Sequence, residues 1–277
     1  MRAISIDGFE TVQPAADLGP VSQQQWIEIA SLVVDPHYQR EILGAGRRNI
    51  AAIAAGFRWS HFAPVIVAPI EGGRYAIVDG QHRTTAAAIV GIKSVPCLVI
   101  LAGRDEQARA FKAVNAQTTR MHPTAMFRAA VAAGDAAALA AFEMARAADV
   151  SICVRPVSAA EMKARHTLAV KQLQDMAAQD AACGTLALRL CALNSEDGTN
   201  VLRASIIRAV FDCLVDHPEW RADTKLLVSQ FEEIDLDEQL AEAAARAARS
   251  RGQSASEQLY VFLVGTLEKV FARRRAQ

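Results

Sequence analysis

A series of apolar runs around a pair of glycines constrains the fold of this chain most. APVIVAPI (63–70) and RYAIVDG (74–80) flank the glycine pair, a pattern typical of two neighbouring strands. The second run passes through a glycine into TTAAAIV (84–90), which has helical composition, and SVPCLVIL (94–101) is a third run of strand type. We therefore expect a mixed α/β domain in this part of the chain.

After residue 120 the pattern changes to an almost unbroken series of helices. Their apolar spacing and their breaks at glycine or proline place them near residues 123–133, 135–148, 158–180, 184–193, 199–216, 221–231, 235–250 and 254–275. The sequence thus predicts an N-terminal arm (1–25), a small mixed α/β domain (26–120) and an all-α domain (121–277), which together make an α+β chain.

Composition and charge exclude several classes of protein. Of the 277 residues, 52% are hydrophobic and 22% are charged, which fits a chain able to bury a full core. Because 30 basic residues balance 30 acidic ones, net charge cannot drive nucleic-acid binding, and only a local basic surface could. No segment approaches the roughly 18 apolar residues of a membrane helix, and the N-terminal residues lack a signal-peptide core. We expect a cytoplasmic protein with no membrane partner.

The cysteines are scattered rather than grouped. They stand at positions 97, 153, 183, 191 and 213, without a CxxC pair and without ligand spacing to histidine. Dispersed thiols in apolar surroundings are typical of reduced, buried side chains. We therefore expect no metal site.

A polar turn, DGQHRTT (79–85), joins the second strand to the helix. A strand that leads through a glycine into a helix exposes unpaired backbone N–H groups, and the helix dipole adds partial positive charge there. Such an end suits phosphate. Gly80 would let the backbone approach an anion, and Arg83 could add two parallel hydrogen bonds. The hydroxyls of Thr84 and Thr85 could donate or cap.

Two residues of this turn leave alternatives open. His82 could donate to a phosphate oxygen or act as a base, while Asp79 could orient His82 or hold a divalent cation. A plainer interpretation gives the turn no ligand: Asp79 and Gly80 form a tight turn, Thr84 caps the helix, and Arg83 is solvated. On pattern alone the two interpretations carry similar weight, since short motifs often produce false positives.

The order of three segments resembles one superfamily. DGQHR (79–83) looks like the second sequence box of the ParB/sulfiredoxin superfamily, and PHYQR (36–40) is similar to its first box. FKAVNAQTTRMHPTAMFRAAVAAGD (111–135) resembles the DGQHR-type, ParB-like proteins of plasmids, phages and bacterial genomes. The resemblance implies a small α+β domain whose second-box turn holds nucleotide phosphates. The nucleotide is CTP in partition proteins, an adenine nucleotide in free-serine kinases and ATP in sulfiredoxin.

Carried over to this chain, the resemblance assigns a phosphate-binding turn and its ligand. The residues implied are Gln39, Arg40, Gly80, Gln81, His82, Arg83 and Thr84. The ligand implied is a nucleoside triphosphate, CTP or ATP, with Mg²⁺ as an accompanying ion. The helical domain would then bind DNA or a second copy of the chain.

The chain departs from the superfamily pattern at three points. The catalytic cysteine of sulfiredoxin belongs in this turn, where the chain has Gln81, and Cys97 lies on the next strand. Sulfinic-acid reductase activity is therefore not expected. The arginine pair of partition proteins appears here as His82-Arg83. No clear helix-turn-helix pattern follows residue 120, where partition proteins have theirs.

Two further polar residues stand near the end of the mixed domain. Asn115 and Arg120 either reach back to the nucleotide or contact nucleic acid, or they merely end a helix and form a polar linker.

The favoured function is nucleotide binding with a DNA-associated, regulatory or partition-like role. The alternative is an enzyme that uses the same turn, as a ParB-like nuclease, an NTPase or a small-molecule kinase. In that case Glu41 or Asp79 would hold a metal or act as a base, and His82 would assist.

Overall fold

The fold is described from a computed structural model. The described residues are 3–37, 39, 41–116, 121–193, 195–249 and 252–275, without the side chains of residues 104, 115, 116 and 275. The chain divides into two compact units, Met1–Thr119 and Arg120–Gln277.

A five-stranded mixed sheet forms the N-terminal unit. Its strands are β1 (Gln23–Glu28), β2 (Leu32–Val33), β3 (Val65–Ile70), β4 (Arg74–Asp79) and β5 (Ser94–Val99), in the spatial order β1-β5-β3-β4-β2. The expected pair around the glycines is confirmed, because β3 and β4 are antiparallel neighbours. β3 also pairs with β5 in parallel, and β2 pairs with β4 in parallel. β1 begins inside the segment that the sequence assigned to an arm.

Three helices accompany this sheet in the described residues: α1 (Gly44–Ala55), α2 (Gln81–Ile89) and α3 (Arg104–Ala116). The core lies between the sheet and α2, where Val65, Val67 and Ala87 have no exposed surface. The central strands therefore read as continuous apolar runs. α2 begins three residues before the helical run read from the sequence, so residues 81–83 form its first turn.

The second unit is helical except for two short strands. Its helices are α4 (Pro123–Ala132), α5 (Ala136–Ala147), α6 (Val170–Cys191), α7 (Ala204–Asp216), α8 (Thr224–Glu233), α9 (Leu236–Arg249) and α10 (Ala255–Arg275). β6 (Ser151–Ile152) and β7 (His166–Thr167) form a parallel pair. Large buried side chains, among them Phe211, Trp220 and Phe231, fill one core. The expected α+β architecture is thus confirmed.

The helix predicted for residues 158–180 is wrong in its first half. Residues 159–161 form a 3₁₀ turn, β7 follows, and α6 starts only at Val170. Arg165 has a φ of 58°, which interrupts a right-handed helix. The buried hydroxyl of Thr167 donates to Leu202 O at 2.7 Å. Such a contact between segments distant in sequence overrides local helical composition.

α4 and α5 form a bent pair joined by residues 133–135. Pro123 occupies the first turn of α4, and the two helix axes enclose 104°. This angle and short connection match a helix-turn-helix pair, which the sequence pattern did not reveal. On α5, Arg146 pairs with Glu143 at 2.5 Å. Within the described residues no single helix is long and apolar enough to cross a membrane, although this bent pair together meets that test of length and composition.

Asp180 breaks α6 in the middle. Its backbone is extended, with φ −158° and ψ 93°. Its carboxylate accepts from the backbone N–H of Cys183 at 2.9 Å and from Arg221 Nη1 at 2.8 Å. Asp180 therefore caps the second half of α6 and connects it to the segment before α8. These contacts, first the Cys183 N–H and then Arg221, lower the pKa of Asp180.

We expect Asp180→Ala to lower the free energy of unfolding by about 1 kcal/mol, because it removes a helix cap. A lowered pKa means that this contribution is present above the unfolded-state pKa and is lost as the pH falls through the folded-state pKa. Urea unfolding followed by circular dichroism should therefore show a difference at neutral pH that shrinks in acid.

The matched control is Asp175→Ala on the same helix, whose carboxylate pairs with Lys171 at an exposed site. This change should cost less than about 0.5 kcal/mol. Equal losses for the two variants would mean that Asp180 does not cap the break.

Candidate functional site

The polar turn forms one wall of an open cleft in the N-terminal unit. The cleft has a volume of about 840 Å³. Its other walls come from α1, the segment before α1, and Phe111 of α3. All three candidate catalytic side chains, Glu41, Asp79 and His82, line this one cleft.

Gly80 determines how the strand enters the helix. It is the N-cap of α2, with φ 106° and ψ 15°, a left-handed conformation that glycine adopts without strain. The first helical hydrogen bond is made only at Thr84, whose N–H donates to Gly80 O at 2.9 Å. Among the described residues, the N–H groups of residues 81–83 have no hydrogen-bond partner. Three donors at a helix end are thus available for an anion.

A second helix N-terminus lies at the same cleft. Leu43 is the N-cap of α1, and Leu43, Ala45 and Gly46 line the cleft together with the turn. Neither α1 nor α2 has an acidic residue in its first turn. The partial positive charge of each helix end favours a negatively charged ligand. Two carboxylates, Glu41 before α1 and Asp79 before Gly80, line the same cleft, and that of Asp79 is paired with Arg83.

Arg83 is held at the wall of the cleft. Its Nη2 donates to Asp79 Oδ2 at 3.0 Å and to Pro64 O at 3.3 Å. Only 27% of the Arg83 side chain is exposed, and its buried Nε has no partner among the described residues. The interpretation of Arg83 as a solvated side chain is therefore wrong. Asp79 orients Arg83 rather than His82.

His82 is oriented from α1 instead. Its Nδ1 lies 3.1 Å from Nδ2 of Asn49. A Cβ atom on Gly46 would come within 3.2 Å of His82 Nε2, so the absence of a side chain at position 46 gives the ring its place. The imidazole is thereby fixed between α1 and α2.

Two of the predicted phosphate-binding side chains support the turn from inside. Gln39 donates through Nε2 to Ile77 O at 3.2 Å and to Val78 O at 2.9 Å, beyond the point where β2 stops pairing with β4. Thr84 is 5% exposed, and its hydroxyl donates to Gly80 O at 3.1 Å. Gln39 thus donates to the end of β4 and Thr84 to the backbone of the turn, and both contacts keep the turn in shape.

Other candidates lie partly or wholly outside the described residues. Arg40 and Arg120 are outside them, and only the backbone of Asn115 is described, within α3. The sequence reasoning also missed Asn49, which lies with Gly46 in the stretch GAGRRN (44–49). The two arginines of that stretch, Arg47 and Arg48, are exposed and do not line the cleft.

The described residues offer few side chains that could bind a metal ion or act as a thiol nucleophile. No group of three or more His, Cys, Asp or Glu side chains in the described residues could hold a metal ion. Glu41 and Asp79 are the described carboxylates in the cleft, so Mg²⁺ would need phosphate oxygens as its remaining ligands. Cys97 is 1% exposed on β5, and burial raises the pKa of its thiol to about 11. A thiolate nucleophile is not available there at neutral pH.

Replacement of Gly80 by alanine should destabilise the N-terminal unit. Alanine at a left-handed position costs roughly 1–2 kcal/mol. The new Cβ would also meet Val65 Cγ1 at 3.2 Å and Val65 Cα at 3.3 Å, and Val65 is fully buried. This crowding should add roughly 1–3 kcal/mol to the loss in the free energy of unfolding, measured by urea titration.

Gly72→Ala is the control, because Gly72 has a φ of 80° and nothing within 4 Å of an added Cβ. Gly72→Ala should lose free energy of unfolding through backbone strain alone, without steric crowding. If the two variants lost the same free energy, the close approach of β3 to the turn would be refuted.

Comparisons with known proteins identify a family for the N-terminal unit. The family model of the ParB N-terminal domain matches residues 23–115. No curated protein matches the chain. Among solved structures, the chain is similar to the C-terminally truncated chromosome-partitioning protein ParB from Caulobacter crescentus complexed with CTP-γ-S. The identity is 14%, over 86% of this chain and 98% of that chain, and the TM-score is 0.35.

Two further similarities are weaker in TM-score. The same Caulobacter crescentus protein complexed to the centromeric parS site is 14% identical over 86% of this chain and 97% of that chain, with a TM-score of 0.30. A Pnob8-like ParB-N domain is 13% identical over 82% of each chain, with a TM-score of 0.28. These structural similarities are low, so the assignment depends on the domain match. Residues 23–115 of this chain, which contain the cleft and its turn, belong to the ParB N-terminal domain family.

Proposed function

We propose that the cleft binds a nucleoside triphosphate, with its phosphates at the N-terminus of α2. One observation carries the proposal: Gly80 turns the chain so that three backbone N–H groups without partners among the described residues stand at the cleft, beside a guanidinium that Asp79 holds in place. Backbone donors, a helix end and an arginine are the groups that phosphate prefers. The ParB N-terminal domain match over the same residues supports this ligand class.

The size and lining of the cleft support a nucleotide rather than a bare phosphate ion. A volume of about 840 Å³ lies within the range of small-molecule sites. Leu43, Ile53 and Phe111 add apolar surface to the polar turn. Such surface suits a base or a sugar, while the turn takes the phosphates. CTP and ATP are the first nucleotides to test, because the superfamily resemblance implies them.

An enzyme remains the alternative function, since Glu41, Asp79 and His82 line the same cleft. Binding receives more support than catalysis, because Asp79 is engaged by Arg83 and His82 accepts a hydrogen bond from Asn49. Glu41 is the exposed carboxylate left to act as a base.

We expect Arg83→Ala to weaken nucleotide binding by about tenfold or more, because it removes charge-assisted hydrogen bonds to phosphate. Isothermal titration with CTP, ATP and GTP, with and without Mg²⁺, measures the affinity. The control is Arg74→Ala, which removes an exposed arginine from the opposite end of β4 and should leave the affinity unchanged.

The outcomes separate the alternatives. Equal effects of the two arginine variants would refute a phosphate role for the turn, as would binding of no nucleotide by the wild-type chain. Release of nucleoside diphosphate during the titration would favour the enzyme instead.

We also propose a DNA-associated, partition-like role for the chain, with the helical unit making the contacts. The α4–α5 pair supports this role through its angle of 104° and its short connection. With a formal net charge of zero, association must depend on a local surface.

We therefore expect DNA binding whose logarithm of the association constant falls linearly with the logarithm of the salt concentration, because contacts to DNA phosphates release counterions. Fluorescence anisotropy with labelled duplexes, with and without nucleotide, measures it across a salt series. Polyglutamate of similar charge serves as the control polyanion. No binding at low salt in either nucleotide state would refute the DNA role and leave the nucleotide site untouched.

A further inference from the structure

The contact between His82 and Asn49 fixes where the imidazole carries its proton. Nδ2 of Asn49 lies 3.1 Å from His82 Nδ1. An amide nitrogen can only donate, so Nδ1 must accept. In a neutral imidazole the proton then resides on Nε2, since one ring nitrogen donates while the other accepts.

The protonated nitrogen faces the first turn of α1. His82 Nε2 lies against Gly46, within 3.2 Å of where a Cβ would stand, and both residues line the cleft. The structure gives Nε2 no hydrogen-bond partner among the described residues. An N–H donor is therefore available at the cleft, between the first turns of α1 and α2.

Three charged residues line the cleft together with His82. Glu41 precedes α1, Asp79 ends β4, and Arg83 follows His82 on α2. The Asp79 carboxylate accepts from Arg83, so it does not compete with Asn49 for the imidazole.

We propose that Asn49 is a positioning residue for the phosphate site: by donating to Nδ1, it keeps His82 as an Nε2–H donor toward phosphate oxygens. This role rests on the proposed nucleotide site and extends it to a residue on α1. It also makes His82 a hydrogen-bond donor to the ligand rather than a base. A ring whose Nδ1 is occupied and whose Nε2 carries a proton donates and does not act as a base.

The first test needs no ligand. Long-range ¹H–¹⁵N spectra of histidine-labelled full-length protein report the tautomer of His82, identified by its loss in His82→Gln. We expect the Nε2–H form in the wild type, a mixture of both neutral forms in Asn49→Ala, and protonated Nδ1 in Asn49→Asp, whose carboxylate only accepts. The Nδ1–H form in the wild type would overturn the proposal, whether or not nucleotides bind.

The second test measures phosphate affinity with inorganic tripolyphosphate as the probe. Asn49→Ala should weaken binding roughly fivefold, the equivalent of one net hydrogen bond. Gly46→Ala should weaken it as well, because the new methyl group displaces the ring.

Gly44→Ala is the matched control for Gly46→Ala, because both substitutions raise the helix propensity of α1 alike. The Cβ added at position 44 would meet only Arg48 Nη1, at 3.8 Å. Tripolyphosphate affinity that is unchanged in Asn49→Ala would overturn the positioning role. If the wild type shows the Nε2–H form and yet binds neither tripolyphosphate nor nucleotide, the proposed function is wrong, and the ligand-facing part of this inference fails with it.

Discussion

The left-handed conformation of Gly80 is the constraint on which the rest of the site depends. At this residue β4 ends and α2 begins without a connecting loop, so the helix end is delivered straight from the core of the sheet. Any residue with a side chain would meet the buried Val65 there and would also strain the backbone. The position of the three free amides is therefore as rigid as the sheet itself.

The polar residues around this glycine form two groups that differ in their hydrogen-bond partners. Gln39 and Thr84 donate to backbone carbonyls of β4 and of Gly80, and they hold the turn in shape. Asn49 orients His82, while Asp79 and the carbonyl of Pro64 hold Arg83, and both side chains keep part of their hydrogen-bonding capacity. A site of this kind is preorganised, because the supporting contacts exist before a ligand arrives.

Much of this arrangement could be predicted from the sequence, because it depends on the order of apolar runs and glycines along short segments. The apolar runs around the glycine pair predicted β3 and β4, and the glycine after the second run predicted the direct passage from strand into helix. Contacts between distant segments were beyond such reasoning. Asn49 reaches His82 across 33 residues, and Thr167 reaches Leu202 across 35, so neither the ring's orientation nor the non-helical start before α6 has a local signal.

The buried Nε of Arg83 has a consequence for how this chain can be altered. A buried guanidinium N–H without an acceptor among the described residues costs free energy, on the order of 1–3 kcal/mol. A substitution that removes this N–H would relieve the cost. Unless the new side chain also pairs with Asp79, it would leave that carboxylate, 28% exposed, without its partner. Thermal resilience at position 83 thus depends on two opposing contributions, the ion pair with Asp79 and the unpartnered Nε.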